Sequence, residues 1–352
     1  FPTRRSSDLR TMKSYFWGGI FALLAFSCAS STQEISQVTS FPVMGKLTAS
    51  IIPISKPILL PRYIGCLTDY LIVYKEKEEH LFSFFRLDDG TYLNESGTRG
   101  QGPDEFNMLD SRSFDTECGH NLFSVMEAGS NLHKNVRYDG NGLSVVNTKA
   151  VFAQGISNNG FYELMDSVYL TLGRIESNNE FCLLNMKTGK LEEKGDYPKW
   201  INSDEVLHSP PLFVPYLKVC AVHPDKSKFI VFYMGFKRFR IYDNSLNLLH
   251  DVDVQINPCH TAFGEEMQNQ PVYYIAQPYA THNHIYVLCA NQHTGVERYE
   301  LQVWGWDGQP VACFSLDRKL SMMAISLQYN KIYALDNLVD NELYVYDLPK
   351  LE

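Results

Sequence analysis

The sequence predicts an all-β fold, a six-bladed β-propeller closed by an N-terminal strand. Three observations lead to this prediction. The chain holds 21 tyrosines and 21 phenylalanines, residues that favour strands. A pair of apolar strands recurs six times at intervals of roughly 40–60 residues, a spacing typical of propeller blades. Many of the second strands end in Asp, Asn or Gly turns, which favour hairpins between antiparallel strands.

The repeated strand pairs can be placed directly on the sequence. The first members are rich in β-branched, aromatic and aliphatic residues and lie at 70–75, 121–126, 167–172, 228–233, 284–288 and 331–335. The second members lie at 82–89, 132–139, 181–189, 239–244, 301–308 and 343–347. We expect the first members to line the central channel. Apolar residues resume after most turns, so each repeat offers at least three strands.

A fourth strand for each sheet must come from the segments between the repeats. The candidates are residues 41–52, 149–152, 212–223 and 271–275. The last repeat is short of strands, whereas residues 42–52 near the N-terminus have no sheet of their own. We therefore expect this N-terminal segment to complete the last blade and close the ring. A seventh blade stays an alternative, if the long fifth interval contains a degenerate one.

The N-terminal region predicts export. Residues 1–11 resemble translated sequencing adapter, and we exclude them from the fold. Residues 12–27 have the basic start, short apolar core and small residue of a signal peptide. The residues from Leu24 to Cys28 resemble a bacterial lipobox, so we expect Cys28 to be lipidated and to anchor the chain in the outer membrane; an ordinary cleavage site near a cysteine is the alternative. The periplasmic and the surface face both stay open. Residues 28–40 read as a tether and residues 41–352 as a single propeller domain.

Charge and cysteine content exclude several classes of protein. The formal net charge is −9, and removal of residues 1–27, with four basic residues and one acid, leaves −12. Such a surface, without a basic patch, argues against a nucleic-acid partner. The seven cysteines besides Cys28 have wide spacings and no CxxC pair, so they predict neither a disulfide framework nor a metal site.

The most distinctive local sequence is a loop at residues 97–106 with three glycines and Pro103. Its exposed amides could hold an anion, and Arg99 could pair with a carboxylate or phosphate. The phosphate-loop and dinucleotide patterns both fail for lack of a βαβ context. We favour a structural connection between blades, with Phe106 in the core and acidic side chains on backbone amides. The candidate ligand-binding residues are Arg99, Gly100, Gln101, Gly102, Asp104 and Glu105.

The same loop carries a resemblance to a known family. Residues 99–106 read Arg-Gly-Gln-Gly-Pro-Asp-Glu-Phe, with Asp104 where glycine is common in relatives. Together with the lipobox and the repeats, this motif resembles the six-bladed, TolB-like propeller lipoproteins of Bacteroidetes, over essentially the whole processed chain. The resemblance implies an exported, lipid-anchored propeller, and it implies no catalytic residues.

Other candidate chemistry is sparse. His282 and His284 share one strand face, a spacing that suits a metal, but we favour surface histidines and expect no metal or cofactor. Cys259 and His260 lie together in a loop-like stretch. A propeller hydrolase would use acidic residues near the first strands. We favour a turn-capping role for the acidic residues at these positions, which are Asp69, Asp166, Asp336 and Glu163.

Aromatic residues could stack on ligands if they were exposed at one end of the ring. Trp304 and Trp306 alternate in one strand and share a face, and we favour packing between blades for them. The other candidates are Trp200, Tyr273, Tyr274 and Tyr279.

The sequence leaves catalysis open and favours a binding role. We expect a non-enzymatic binding or interaction module for a protein, peptide or glycan. The alternative is a propeller hydrolase or lyase with an acidic or metal-dependent site in the channel.

Overall fold

The structure is a computed structural model that describes residues 35–151, 160–173, 177–201, 213–256, 272–293 and 296–351. The chain is a six-bladed β-propeller, as the sequence predicts. The described residues form 25 strands and no helix. A segment that we call the N-terminal strap, residues 36–53, precedes the blades and contains β1 (Ser36–Val38), β2 (Val43–Leu47) and β3 (Ser50–Pro53).

The blades follow in chain order. Blade 1 consists of β4 (Pro61–Cys66), β5 (Tyr70–Lys75), β6 (His80–Arg86) and β7 (Tyr92–Thr98). Blade 2 consists of β8 (Leu122–Glu127), β9 (Leu132–Tyr138) and β10 (Leu143–Ala150). Blade 3 consists of β11 (Tyr162–Met165), β12 (Val168–Thr171), β13 (Asn179–Asn185) and β14 (Lys190–Asp196).

The second half of the ring continues the pattern. Blade 4 consists of β15 (Lys218–Val222), β16 (Lys228–Tyr233), β17 (Arg238–Asp243) and β18 (Leu248–Val254). Blade 5 consists of β19 (Tyr279–Ala280), β20 (His284–His293), β21 (Val296–Gly305) and β22 (Pro310–Leu316). Blade 6 consists of β23 (Met322–Ser326), β24 (Lys331–Leu335) and β25 (Glu342–Asp347), completed by β3.

One prediction about the ring is wrong. The strands that the sequence places at the channel, such as β5 and β16, are the second strands of their blades. The true first strands contact one another across blades around the axis: β23 against β4, β11 against β15, and β15 against β19. In blade 2 the central position belongs to a segment that only bridges β8, at Leu109–Glu127 and Asp115–Ser124. Of the predicted fourth strand at residues 149–152, Lys149 and Ala150 instead belong to β10, and Phe152 lies outside the described residues.

The N-terminal strap closes the ring, and it does more than the sequence predicts. Strand β3 pairs antiparallel with β25 and so completes blade 6. Before that, β1 adds in parallel to the outer strand β18 of blade 4, and β2 adds in parallel to the outer strand β22 of blade 5. Three residues of the predicted tether, those of β1, therefore belong to a sheet. The strap holds three consecutive blades together.

The core consists of apolar layers between neighbouring blades. Alternate residues of one strand pack in two different layers, because successive side chains point to opposite sheet faces. In β5, Ile72 and Tyr74 pack toward blade 2, whereas Leu71 and Val73 pack toward blade 6. Because both faces of these strands are buried, the second strands of the blades are continuous apolar runs in the sequence.

The antiparallel order gives the ring two different ends. Connections between blades and the loops between second and third strands lie at one end, which we call the connector face; residues 99–108 and 128–131 are examples. The remaining turns lie at the opposite end, the hairpin face. Several second strands begin there with a residue in the left-handed region, as a tight turn requires: Asn121, Ser167, Lys226 and Asn330.

Candidate functional site

The glycine-rich loop at residues 97–106 crosses from blade 1 to blade 2 on the connector face. Phe106 is fully buried, and its ring meets Phe82 edge to face at a centroid distance of 5.3 Å. The Phe106 amide donates to the Thr98 carbonyl at 2.9 Å, and the Gly100 amide donates to the Phe106 carbonyl at 3.0 Å. These bonds fold the loop back on itself.

The glycines of this loop give room to an acidic side chain of the same loop. The Gly102 amide donates to Glu105 Oε2 at 2.7 Å. A Cβ on Gly100 would lie 1.9 Å from that oxygen, so no other residue fits there without displacing the carboxylate. The Gly102 amide therefore binds a carboxylate of its own loop, which is the structural arrangement that the sequence favours.

Two further charged residues of the loop also have internal partners. Arg99 donates to the Glu76 carbonyl, and Asp104 Oδ1 accepts the Val145 amide of β10 at 2.8 Å. These contacts belong to a structural connection between blades, the role that the sequence favours. Ligand binding by the six candidate residues stays a prediction.

A cavity of about 400 Å³ lies beside the loop, on the connector face of blade 2. Gln101 and Gly102, two of the candidate residues, form part of its lining. The other lining residues come from the loop, from the turn between β8 and β9, and from the adjoining strands: Pro103, Asn107, Glu127, Gly129, Ser130, Leu132, Lys134 and Thr148.

The two charged residues of this lining neutralise each other. Lys134 Nζ lies 2.7 Å from Glu127 Oε2, and both side chains are at least 95% buried. Lys134 also donates to the Glu105 carbonyl at 2.6 Å, and Glu127 Oε1 accepts the Asn107 amide at 2.5 Å. Lys134 further lies over the Phe106 ring at 5.2 Å. The pair thus joins the glycine-rich loop to blade 2.

The chemistry of the cavity follows from this pairing. With the two charges satisfied, the polar groups that face the space are amides and hydroxyls from Gln101, Asn107, Ser130 and Thr148. Such groups both donate and accept hydrogen bonds, and they suit an uncharged polar ligand such as a peptide backbone or a sugar. The sequence could not show this site, because Lys134 and Thr148 lie far from the loop in the chain.

The central channel contains a carboxylate that the sequence did not single out. Glu117 lies in the central segment of blade 2, and Tyr279 of blade 5 donates to its Oε1 at 3.5 Å. Glu117 is exposed to solvent, but desolvation by the surrounding channel residues, and then the neighbouring Asp115, raise its pKa. Burial also raises the pKa of the Cys66 thiol, with Glu117 as the second cause. An acid and a phenol therefore meet across the channel.

The acids that the sequence considered for the channel have other partners. Asp69 accepts from the Asn121 side chain at 3.1 Å in a hairpin turn. The exposed Asp166 pairs with Lys187 at 2.5 Å. Glu163 pairs with Lys226 of blade 4. Asp336 accepts the Leu338 amide at 3.0 Å within its own loop. Turn and ion-pair contacts account for all four.

The histidines do not assemble a metal site within the described residues. His223 Nε2 donates to the His282 carbonyl at 3.1 Å, and their rings lie 5.6 Å apart. Burial lowers the pKa of His284. Across the described ranges, no three His, Cys, Asp or Glu side chains are grouped closely enough to hold a metal ion. Cys259 and His260 lie outside those ranges.

Most of the candidate aromatic residues are packing residues. Trp304 and Trp306 lie in one apolar layer between blades 4 and 5, together with Tyr273 and Tyr274. Trp200 packs against the guanidinium groups of Arg238 and Arg240, at 4.0 and 4.9 Å. Tyr279 is half-buried and faces Glu117 as described above.

The predicted anchor cannot be examined in the structure. Cys28 and the rest of residues 1–34 lie outside the described residues. Within the part of the chain that is described, no helix is long and apolar enough to cross a membrane.

The comparisons with known proteins relate this chain to two Bacteroides proteins by structure alone. No family model and no curated protein matches the sequence. A member of the DUF4221 family from Bacteroides vulgatus has a similar structure, with a TM-score of 0.62 at 12% identity, over 86% of this chain and 97% of that one. An exported protein from Bacteroides fragilis has a TM-score of 0.53 at 11% identity, over 90% and 100% of the two chains. These likenesses show a shared fold.

Proposed function

We propose that this chain is a non-enzymatic binding module that takes its ligand in the connector-face cavity of blade 2. The ligand is a protein, a peptide or a glycan. The observation that carries the proposal is the cavity itself, where a buried and mutually neutralised ion pair supports a lining of amide and hydroxyl groups. Polar groups that converge in a preformed concave site are the usual basis of specific recognition.

The proposal also covers location and family. The chain belongs with the TolB-like propeller lipoproteins of Bacteroidetes and is anchored through Cys28 in the outer membrane, on its periplasmic or surface face. The signal sequence, the lipobox-like residues and the Gly-x-Gly-Pro-x-Glu-Phe motif support it. The fold shared with an exported Bacteroides protein agrees with it. In a Bacteroides host, Cys28→Ser should abolish metabolic labelling by a fatty acid, and a wild-type chain without label would contradict the anchor.

Binding can be tested with two screens on the purified full-length chain. A glycan array and a random 12-residue peptide library on phage cover the proposed ligand classes. The affinity of each hit is then measured by calorimetry for Ser130→Trp, which places an indole in the cavity. Ser144→Trp is the matched control, since Ser144 is exposed on β10 and does not line the cavity.

The expected result is a loss of at least about tenfold in affinity for Ser130→Trp, with Ser144→Trp unchanged. Equal affinities for the two variants would overturn the cavity as the binding site. Thermal midpoints within about 2 °C of wild type show that both variants are folded.

A second candidate function has one observation in its favour. Glu117, with its raised pKa, and Tyr279 meet in the central channel, where a propeller hydrolase or lyase would place a general acid. Turnover of chromogenic glycosides or lactones that disappears in both Glu117→Gln and Tyr279→Phe would support this enzyme. Turnover that survives both variants would reject it.

A further inference from the structure

The outer strand of blade 2 has a free edge beside the cavity. Strand β10 lies at the end of its sheet, and no strand of the described residues pairs with its outer side. The Val151 amide donates inward, to the Asn131 carbonyl of the β9 hairpin at 2.8 Å. Because backbone groups alternate along a strand, Lys149 also faces β9, whereas Thr148 and Ala150 turn their amides and carbonyls outward.

The beginning of this edge is already covered. The Leu143 amide donates to Ser96 Oγ at 3.1 Å, and the Val145 amide donates to Asp104 Oδ1 at 2.8 Å. Beyond a bulge after Val145, residues 146–150 are all exposed. Val146, an apolar residue, is 47% exposed. The open edge is therefore the short stretch 146–150, and it borders the cavity at Thr148.

Outer strands of this ring accept additional strands. The strap adds β1 to the outer strand of blade 4 and β2 to that of blade 5, both in parallel. These additions are made by extended segments of three and five residues. An open stretch of five residues on β10 is long enough for the same kind of pairing.

Charge and exposure distinguish β10 from the other free outer strands of the first three blades. Strand β14 carries five charged residues among seven, a pattern that blocks edge pairing. Strand β7 has one charged residue, Glu95, which pairs with Lys56 and Lys75, and six of its seven residues are only partly exposed. Strand β10 has Lys149 as its one charged residue. With one lysine and one bulge, its edge is less protected against strand addition than that of β14.

We infer that the ligand is an extended peptide, which adds as a strand to residues 146–150 of β10 and places a side chain in the cavity. This inference rests on the proposed function and narrows its ligand class. Backbone hydrogen bonds from Thr148 and Ala150 supply affinity, and the cavity lining selects an uncharged polar side chain. Glycans and a second copy of this chain are the competing occupants.

The test separates backbone pairing from side-chain contacts at one position. Thr148→Pro removes the outward N–H, and since this group makes no ladder bond to β9 the strand should tolerate the change. Thr148→Val keeps the N–H and removes the hydroxyl. Val146→Asp adds a negative charge to the edge as a second way to block pairing. The probe is the tightest peptide selected from the 12-residue phage library, synthesised and measured by calorimetry on the full-length chain.

We expect Thr148→Pro and Val146→Asp each to weaken peptide binding at least about tenfold, and Thr148→Val less than about threefold. Equal binding by wild type and Thr148→Pro would overturn strand addition, although the cavity proposal would survive if Ser130→Trp still abolished binding. A glycan hit without any peptide hit would overturn the peptide class alone. Concentration-dependent dimers that Thr148→Pro abolishes would identify a second copy as the occupant and also overturn it.

Discussion

Phe41 of the N-terminal strap packs edge to face against Trp304 of blade 5, with ring centroids 4.9 Å apart and an interplanar angle of 64°. Both rings are buried, Trp304 completely. Phe41 lies between β1 and β2, at the step of the strap from blade 4 to blade 5. This aromatic contact thus adds to the three strand pairings that hold the strap on blades 4 to 6.

Phe41→Ala should destabilise the protein by about 3 kcal/mol, because it leaves a cavity between two blades and loosens the strap. The measurement is the free energy of unfolding from urea titration. Met44→Ala is the matched control, since Met44 lies on the same strap and is 69% exposed; we expect a change within about 0.5 kcal/mol. Similar losses for both variants would mean that the strap is not held by Phe41.

Gly97→Ala should cost about 1–3 kcal/mol. Gly97 has a φ of +75°, and an added Cβ would lie 2.6 Å from the Phe82 ring. Gly142→Ala, in a nearby turn, would place its Cβ 3.9 Å from Ser96 and should change the stability little. Thermal unfolding of the two variants compares them directly, and an unaffected Gly97→Ala would contradict the geometry of the loop.

His133 should make the stability depend on pH. Burial between Phe161 and Tyr169 lowers its pKa from 6.5 to about 4, with Lys149 as a second cause and Asp115 and Glu163 opposing. Between these values the unfolded chain binds a proton that the folded chain does not, so stability is complete above about pH 6.5 and falls as the pH approaches 4. The loss amounts to about 3 kcal/mol.

The pH dependence can be assigned to His133 by difference. Urea unfolding at pH 7 and pH 4.5 should show a larger fall for wild type than for His133→Gln. His120→Gln, at a side chain that is 73% exposed, should behave as wild type. Parallel pH profiles for wild type and His133→Gln would refute the assignment.

The ion pair between Lys218 and Glu180 lies at the interface of blades 3 and 4. Nζ and Oε1 are 3.2 Å apart, both side chains are at least 98% buried, and Tyr233 donates to the same carboxylate at 2.6 Å. Lys218→Met or Glu180→Gln alone should cost about 3–5 kcal/mol, because each leaves a buried charge without its partner. The double variant should regain at least about half of that loss.

The control for this cycle is an exposed pair. Lys187→Ala, which breaks the contact with Asp166, should change the free energy of unfolding by less than about 0.5 kcal/mol. A double variant of Lys218 and Glu180 that is as unstable as the sum of its single variants would contradict a pairwise charge effect.

The sequence predicts the ring well because blade strands are buried on both faces. Runs such as β5 and β16 stand out, and their even spacing gives the number of blades. The channel strands were misplaced because the true first strands are short and polar in places; β19 has only two residues, and blade 2 has isolated bridges instead. The parallel pairings of β1 with β18 and of β2 with β22 have no sequence signature, because a short extended segment carries no pattern that identifies its partner strand.

The candidate site was predictable only in part. Glycine spacing drew attention to the loop at residues 97–106, and Gln101 and Gly102 do line a cavity. Lys134 and Glu127 look like ordinary strand residues in the sequence, because the burial of this charged pair depends on the loop that packs against blade 2. Glu117 was not predicted from the sequence, because its segment occupies the central position of blade 2 with isolated bridges and no regular strand pattern.

Hydrogen-exchange mass spectrometry of the full-length chain, with and without saturating ligand from either screen, shows whether the ligand binds in the cavity of blade 2. We expect slower exchange in residues 101–107, 128–134 and 146–150, which surround the cavity and the edge of β10, and unchanged exchange on the hairpin face. Protection confined to the channel segments around Glu117 and Tyr279, with the cavity unaffected, would contradict this expectation.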